Sequence, residues 1–302
     1  MATDITVAMK NTYQMNFKLL EQQMGSELQN FVTRETIEGE YKYFDFLDAA
    51  DATEVFTRNA DTVNEDLVYA RRRISLRRFT FAPLVDTFDK LALINDPTSD
   101  IVQDALAAMG RQKDWLILQD AALGTTYGGY DGTTSYTYDT NMNVAVTVRD
   151  SGTGATGMNV AKLRNMRKLF KEQNVPASLQ IHLAISALQE SELLASTEVG
   201  SYDYNSVKAL VDGDTDKFMG IKFHLIEGQI NSADILPVDG SDYRRCVAWA
   251  EDGLMLGVGK DVKTDIEQRI DKNYSYQIFN EMWMGSMRTS EKKVGVILCS
   301  EA

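Results

Sequence analysis

The chain has 302 residues and a formal net charge of −13, with 44% hydrophobic and 25% charged residues. That is an ordinary globular composition and excludes a collagenous repeat or a disordered tail. No apolar run approaches the ~18 residues that cross a bilayer, and the start, MATDITVAMK, lacks a basic flank followed by an apolar stretch, so a soluble, non-secreted protein without membrane contact is expected.

Residues 5–32 read as an amphipathic helical arm, because Tyr13, Phe17, Leu20, Met24, Leu28 and Phe31 recur at steps of three and four. So narrow a stripe has to dock on the chain's own body or on a neighbour. From about Tyr41 to Leu84 the period changes to two. YKYFDFL and LVYARRRISLRRFTFAP flank a polar middle, DATEVFTRNADTVNED, and together predict a long hairpin. Its return limb contains ARRRISLRRF (70–79), five arginines in ten positions of an acidic chain. Arg71, Arg73 and Arg77 share one face with Tyr69 and Phe79, while Arg72 and Arg78 share the other with Ile74 and Leu76. Charge on both faces suits a projecting ribbon, not a core strand.

Asp96 as N-cap, Pro97 in the first turn and Gly124 past the end bound a helix over 96–124. Its stripe is Val102, Leu106, Met109, Leu116 and Leu123. At ~1.5 Å per residue this is a rod of roughly 40 Å, a structural spine. A Gly/Thr/Tyr/Asp-rich stretch with one short strand, MNVAVTV, leads to a helix over about 158–173. The basic residues Lys162, Arg164, Arg167, Lys168 and Lys171 of that helix read as a solvated face. Strand LQIHLAIS, helix ALQESELLAS, and strands MGIKFHLIE and RRCVAWAEDGLMLGV complete a mixed α/β module. His182 and His224 alternate with apolar neighbours and have no partner at metal-ligand spacing. Cys246 and Cys299 read as buried free thiols.

Near the end, DVKTDIEQRID alternates strictly. Val262, Thr264, Ile266, Gln268 and Ile270 form a face to be covered, and Asp261, Lys263, Asp265, Glu267, Arg269 and Asp271 a wet one. Asp271, Lys272 and Asn273 supply a turn, YSYQIFNEMWMGSMRTS returns, and KKVGVILC closes the chain. A long hairpin laid over the rod-like helix would bury both apolar faces.

Two motifs invite chemistry. GTGATG places Gly152, Gly154 and Gly157 at dinucleotide-turn spacing before a helix, the basis for an alternative reading as a nucleotide-binding α/β enzyme. The preceding strand alternates instead of being continuously apolar, and no second strand ends in an acid at the expected distance. DGDTDKFMG sets Asp212, Asp214 and Asp216 at alternate positions, but Lys217 and Phe223 stand where an EF-hand needs glycine and glutamate, leaving at most a weak cation site. No nucleophile, acid–base pair or cofactor motif is recognisable, so no catalytic, cofactor or metal residues are assigned. A nucleic-acid-binding module is a further reading of the arginines, opposed by the net charge and the absence of a known binding motif.

The succession of arm, long hairpin, spine helix, α/β module and final long hairpin resembles the major capsid proteins of tailed bacteriophages, the Hong Kong 97 shell fold. Its wording is most similar in DGLMLGVGKDVKTDIEQRIDKNYSYQIFNEMWMGSMRTSEKKVGVILC, about fifty residues. The resemblance implies an α+β chain with an N-terminal arm at 1–33 and an extended loop at 36–85. It also implies a peripheral domain at 86–136 and 259–290 built on the spine helix, and an axial domain at 137–258 and 291–302. It further implies a non-enzymatic coat protein of the virion, assembled in the host cytoplasm from pentamers and hexamers into an icosahedral shell around double-stranded DNA, which it contacts weakly. A separate scaffolding protein, a portal and a decoration protein are the expected partners. Some relatives cross-link a loop lysine to a neighbour's asparagine; residues 50–66 contain no lysine, so no such bond is expected and Asn273 stays unassigned. In this frame Arg71, Arg72, Arg73, Arg77 and Arg78 would meet Asp261, Asp265, Glu267 and Asp271 of a neighbouring copy, since guanidinium forks match carboxylates.

Overall fold

The computed structural model describes residues 23–47, 49–54, 56–58, 61, 64, 66–85, 98–150, 152–195, 217–230 and 233–301. In chain order the strands begin with β1 (Thr33–Thr36), β2 (Tyr41–Leu47), β3 (Tyr69–Ser75), β4 (Arg77–Phe81) and β5 (Leu84–Val85). Helix α1 (Thr98–Trp115) runs on without a break as a π-helix over Leu116–Leu123, followed by β6 (Thr126–Gly128), β7 (Thr134–Tyr136) and β8 (Asn143–Val144). Then come α2 (Val160–Glu172), β9 (Ile181–Ile185), α3 (Ala187–Ala195), β10 (Lys217–Phe218), β11 (Ile221–Leu225), β12 (Gln229–Ile230) and β13 (Ala233–Asp234). β14 (Tyr243–Ala250), β15 (Leu254–Arg269), β16 (Ser275–Arg288) and β17 (Val294–Ser300) complete the chain.

The α/β module is a six-stranded sheet of order β10-β11-β9-β14-β17-β8. It is covered on both faces, which is why its strands read as apolar runs. Cys246 and Ala248 of β14 point to Leu163, Met166 and Phe170 of α2. Val247 and Trp249 point the other way, to Ile117, Leu118, Ala121 and Ala122 of the π-helix. The widened spiral lets successive residues Leu116, Ile117 and Leu118 all be buried between two sheets. Asn159 caps α2 by accepting from Lys162 N at 2.9 Å.

The second sheet has the order β1-β15-β16-β4, with β5 also on β16. Met282 and Met284 of β16 pack on Met109 and Leu116, so the long hairpin does lie over the spine helix. β1 runs parallel to β15 only along Met255–Val258, and the β15–β16 register shifts around Lys260 and Lys263. Coverage then runs out: Ile266 is exposed and Ile270 is 75% exposed, although the alternation predicts a covered face to the end. The turn falls where expected, with Asn273 and Tyr274 both in the left-handed region at φ 51 and 58.

Several expectations need correction. Within the described part of the arm, 23–32 is a series of turns, not a helix, and leads into β1. Asp114 explains why: its carboxylate accepts from the Gln23 and Ser26 side chains and, at 3.1 Å each, from the backbone N–H of Glu27 and Leu28. Burial pushes the Asp114 carboxyl up, against these hydrogen bonds. The remainder of the arm (1–22), the cap residues Asp96 and Pro97, and Asp212, Asp214 and Asp216 lie outside the described residues. Gly124 does follow the helix end, in an extended conformation. The helix end is closed by Arg288, fully buried, which donates to Ala121 O, Ala122 O, Gly124 O and Tyr136 O at 2.8–3.1 Å. MNVAVTV is strand only over Asn143–Val144. Lys162 belongs to the interior: it is 0% exposed and donates to Thr156 O at 2.6 Å and Leu298 O at 2.7 Å.

Candidate assembly interface

The arginine-rich limb is divided at Leu76 between two sheets. Its first half belongs to a four-stranded sheet of order β2-β3-β6-β7. Register sets Tyr43 opposite Arg73, Asp45 opposite Arg71, Leu47 opposite Tyr69, and Tyr127 opposite Arg73. Period two therefore gathers tyrosines and guanidiniums on one outer face. Arg71 donates through Nε and Nη2 to the two Asp45 oxygens at 2.6 and 3.0 Å, and that fork holds the carboxyl below its usual range. Its guanidinium is 5.5 Å from the Tyr43 ring centre. Arg73 lies 5.8 and 5.9 Å from the rings of Tyr41 and Tyr127. Tyr130, between β6 and β7, is 90% exposed.

The opposite face is internal. Arg72 is 5% exposed, stacks 3.5 Å from the Tyr136 ring and donates to Glu291 at 2.7 Å. Ile74 packs with Ile37, Met255 and Met287 over the base of the β15–β16 ribbon. Both residues anchor the hairpin; the reading of this limb as projecting throughout is thereby revised. Arg77 and Arg78 belong to β4, on the ribbon itself. Arg77 pairs with Asp120 of the π-helix, and Arg78 with Glu281 of β16 at 2.9 Å.

The acidic strand is likewise matched inside the chain. Asp261 meets Lys113 Nζ at 2.9 Å and Arg34 at 3.5 Å; burial raises its carboxyl, and the hydrogen bonds from Lys113 and Val262 N outweigh this and hold it low. Asp265 pairs with Lys263 at 2.9 Å, and Asp271 with Arg269. Glu267 is exposed on the same strand. Within one subunit, then, the structure brings none of the five arginines to Asp261, Asp265, Glu267 or Asp271. It unites Arg71, Arg72 and Arg73 in one sheet, and Arg77 and Arg78 in the other.

Sequence reasoning missed three charged anchors. Lys162 had a signal, since it continues the buried i, i+4 line of Met166 and Phe170. Arg288 sits in a strand of which Trp283 alone is exposed, and Asp114 directly precedes the apolar run WLIL; only the fold reveals what either one holds.

The glycine loop forms no phosphate cradle. Gly152 and Gly154, at φ 97 and 108, wrap around Arg149, which donates to Gly154 O at 2.8 Å and Ala155 O at 3.2 Å. Glu192 accepts from Met158 N at 2.8 Å, so a carboxylate already stands at the helix entrance, and its approach leaves no room for a Cβ at Gly157. His182 Nδ1 and His224 Nε2 are 2.9 Å apart, stacked with Trp249 and flanked by Phe31. Burial lowers their pKa values to about 4 and about 3. Neutral and enclosed, they are parts of a core. The hydrogen bond with Cys299, and then burial, raise the Cys246 thiol.

Among the described residues a buried scaffold carries wet aromatic and apolar ribbons, and the chain itself fills the glycine loop at 152–157, the build of a structural protein. The chain belongs to the phage capsid protein family, whose model matches residues 5–301. No individual curated protein matches it. Among solved structures it is similar to the capsid of Ralstonia phage GP4, with TM-score 0.69 and 13% identity over 95% of this chain and 94% of that one. The capsid of Cyanophage P-SCSP1u (TM-score 0.66, 12% identity, 95% and 92% covered) and the acid-stable capsid of Helicobacter pylori bacteriophage KHP30 (TM-score 0.66, 12% identity, 96% and 94% covered) share the fold. The α+β fold expected from the sequence is thus that of phage capsids. The protein is a virion component that builds a shell by association of its copies.

Proposed function

We propose that this chain is the major capsid subunit of a tailed phage, forming pentamers and hexamers that close into an icosahedral shell around double-stranded DNA. One observation carries the reading. Large apolar residues stand exposed on both ribbons, Leu47, Phe56 and Tyr69 on the hairpin and Ile266, Ile270 and Trp283 on the long one, and neighbouring copies would cover them.

The two sheets support a division in which the β15–β16 ribbon and spine helix form a peripheral domain (86–136 and 259–290). The six-stranded sheet forms the axial one (137–258 and 291–302), with the arm at 1–33 and the extended loop at 36–85. Of the proposed contacts, Arg71 and Arg73 on the wet face are the ones a neighbour's Glu267, Asp265, Asp261 or Asp271 reaches without dismantling an anchor; Arg72, Arg77 and Arg78 act by holding the hairpin in place. A scaffolding protein, a portal and a decoration protein complete the assembly, formed in the host cytoplasm, with weak contacts to packaged DNA.

Expression with the scaffold, followed by light scattering and electron microscopy, tests this. Shells are expected, and the doubly charge-reversed Arg71→Glu/Arg73→Glu chain should remain folded while its particle yield falls at least several-fold. A wild-type chain that stays monomeric with its scaffold present sinks the reading; normal yield from the double variant sinks the arginine contact alone.

A further inference from the structure

The solvated face of α2 is more than a wet surface. Arg167, Lys171 and Lys217 are exposed around a cavity of about 200 Å³ whose floor is Phe170, Val175, Leu179 and Ile181. The end of α2 shapes it. Asn174 takes the left-handed conformation at φ 56, and Val175 N and Asn174 N donate back to Phe170 O and Lys171 O at 3.1 and 3.0 Å, turning the chain sharply over the helix. The rim is fixed: Arg167 donates to Met219 O at 3.0 Å, Gln180 donates to Gly220 O at 2.8 Å, and Lys217 pairs with Gln180. Two other cations of the helix are engaged by acids outside the cavity, Arg164 by Asp150 and Lys168 by Glu172.

A cationic rim over an apolar floor, in a chain of net charge −13, asks for an acidic ligand with an apolar side chain. An apolar cavity of about 150 Å³ holds benzene, so a phenyl ring fits. A nucleic-acid backbone would satisfy the rim and leave the floor wet. The chain itself supplies the matching chemistry: residues 51–66 contain Asp51, Glu54, Asp61, Glu65 and Asp66 against Arg58, and Phe56 is 85% exposed. We propose that the cavity at the end of α2 receives the hairpin tip of a second copy, with Phe56 on its floor and the tip's carboxylates against Arg167, Lys171 and Lys217. This rests on the reading of the hairpin as a segment that reaches a neighbour.

The test is a fluorescein-labelled peptide of residues 50–66 titrated into the full-length protein kept below its assembly threshold. Saturable binding is expected, weakened about tenfold or more by 0.5 M salt. It should be lost with a Phe56→Ala peptide and with Arg167→Glu/Lys171→Glu protein, while Lys168→Glu changes it less than about threefold. Should the double variant fail to fold, Lys171→Glu alone serves. No binding, equal binding of a scrambled peptide, or tighter binding of a short DNA duplex at the same residues overturns the proposal. Particle formation is followed in parallel: shells that form without any peptide binding remove this docking site and leave the shell reading intact, whereas absence of shells under all conditions removes the shell reading itself.

Discussion

β14 and the outer half of β15 are made of similar strand material and end in opposite environments. YRRCVAWA is buried from Cys246 to Ala250 because α2 covers one side and the π-helix the other. DVKTDIEQR, with its register shifted at Lys260 and Lys263, is still held to the spine helix by Asp261 and Val262 and leaves both the body and its cover behind beyond them. The first is stabilised within the subunit. The second leaves Ile266 exposed, and the turn after it Ile270, apolar surface that the proposed contacts between copies would cover. On that proposal stability and assembly are carried by separate surfaces, and substitutions should sort them.

The largest effect is expected in the body. Arg288→Ala leaves three carbonyls at the helix end and that of Tyr136 without their donor and should cost about 3–5 kcal/mol, read as a lower urea midpoint. Acid comes next. The unfolded chain protonates its histidines near 6.5, while folded His182 and His224, facing Lys217 and Lys222, resist to about 4 and about 3. The unfolded state thus binds more protons in that window, so stability falls as pH drops from about 6.5 to about 4, by about 3 kcal/mol for His182 alone. His182→Asn, which cannot charge there, should flatten the stability–pH curve. Asp114→Ala, which strips the arm's turn of its acceptor, should cost about 1–3 kcal/mol and hasten protease cleavage before Val32. On the ribbons the order reverses: Ile270→Ser and Tyr69→Ser should each change folding by less than about 0.5 kcal/mol, while particle yield falls about tenfold. A ribbon substitution that unfolds the subunit would erase the distinction.

Much of this was legible. Period two in YKYFDFL and DVKTDIEQRID is a local signal that tertiary packing left intact. What was not legible depended on partners distant in sequence. The break at Leu76 exists because Ile74 turns toward Met255 and Met287 while Phe79 turns toward the helix. No spacing announces that division. Arginines on both strand faces suggested projection, but one of those faces meets Glu291, more than two hundred residues away. The turns at 23–32 replaced an expected helix because one buried carboxylate outbid the apolar stripe of Leu28 and Phe31. Among the site residues, the sequence marked the arginine cluster and the acidic strand and left open whether their charges pair within the chain or across copies; the fold matches most of them within the chain.

The short reach of β1 has a consequence for the unassembled subunit. Past Val258 the outer backbone of β15 is unpaired among the described residues, the kind of margin on which identical molecules stack into fibres. The two register shifts bend that margin, and Lys260, Asp261, Lys263, Asp265 and Glu267 crowd it with charge, so copies cannot zip onto it in register. Unassembled subunits guarded in this way should resist stacking into filaments.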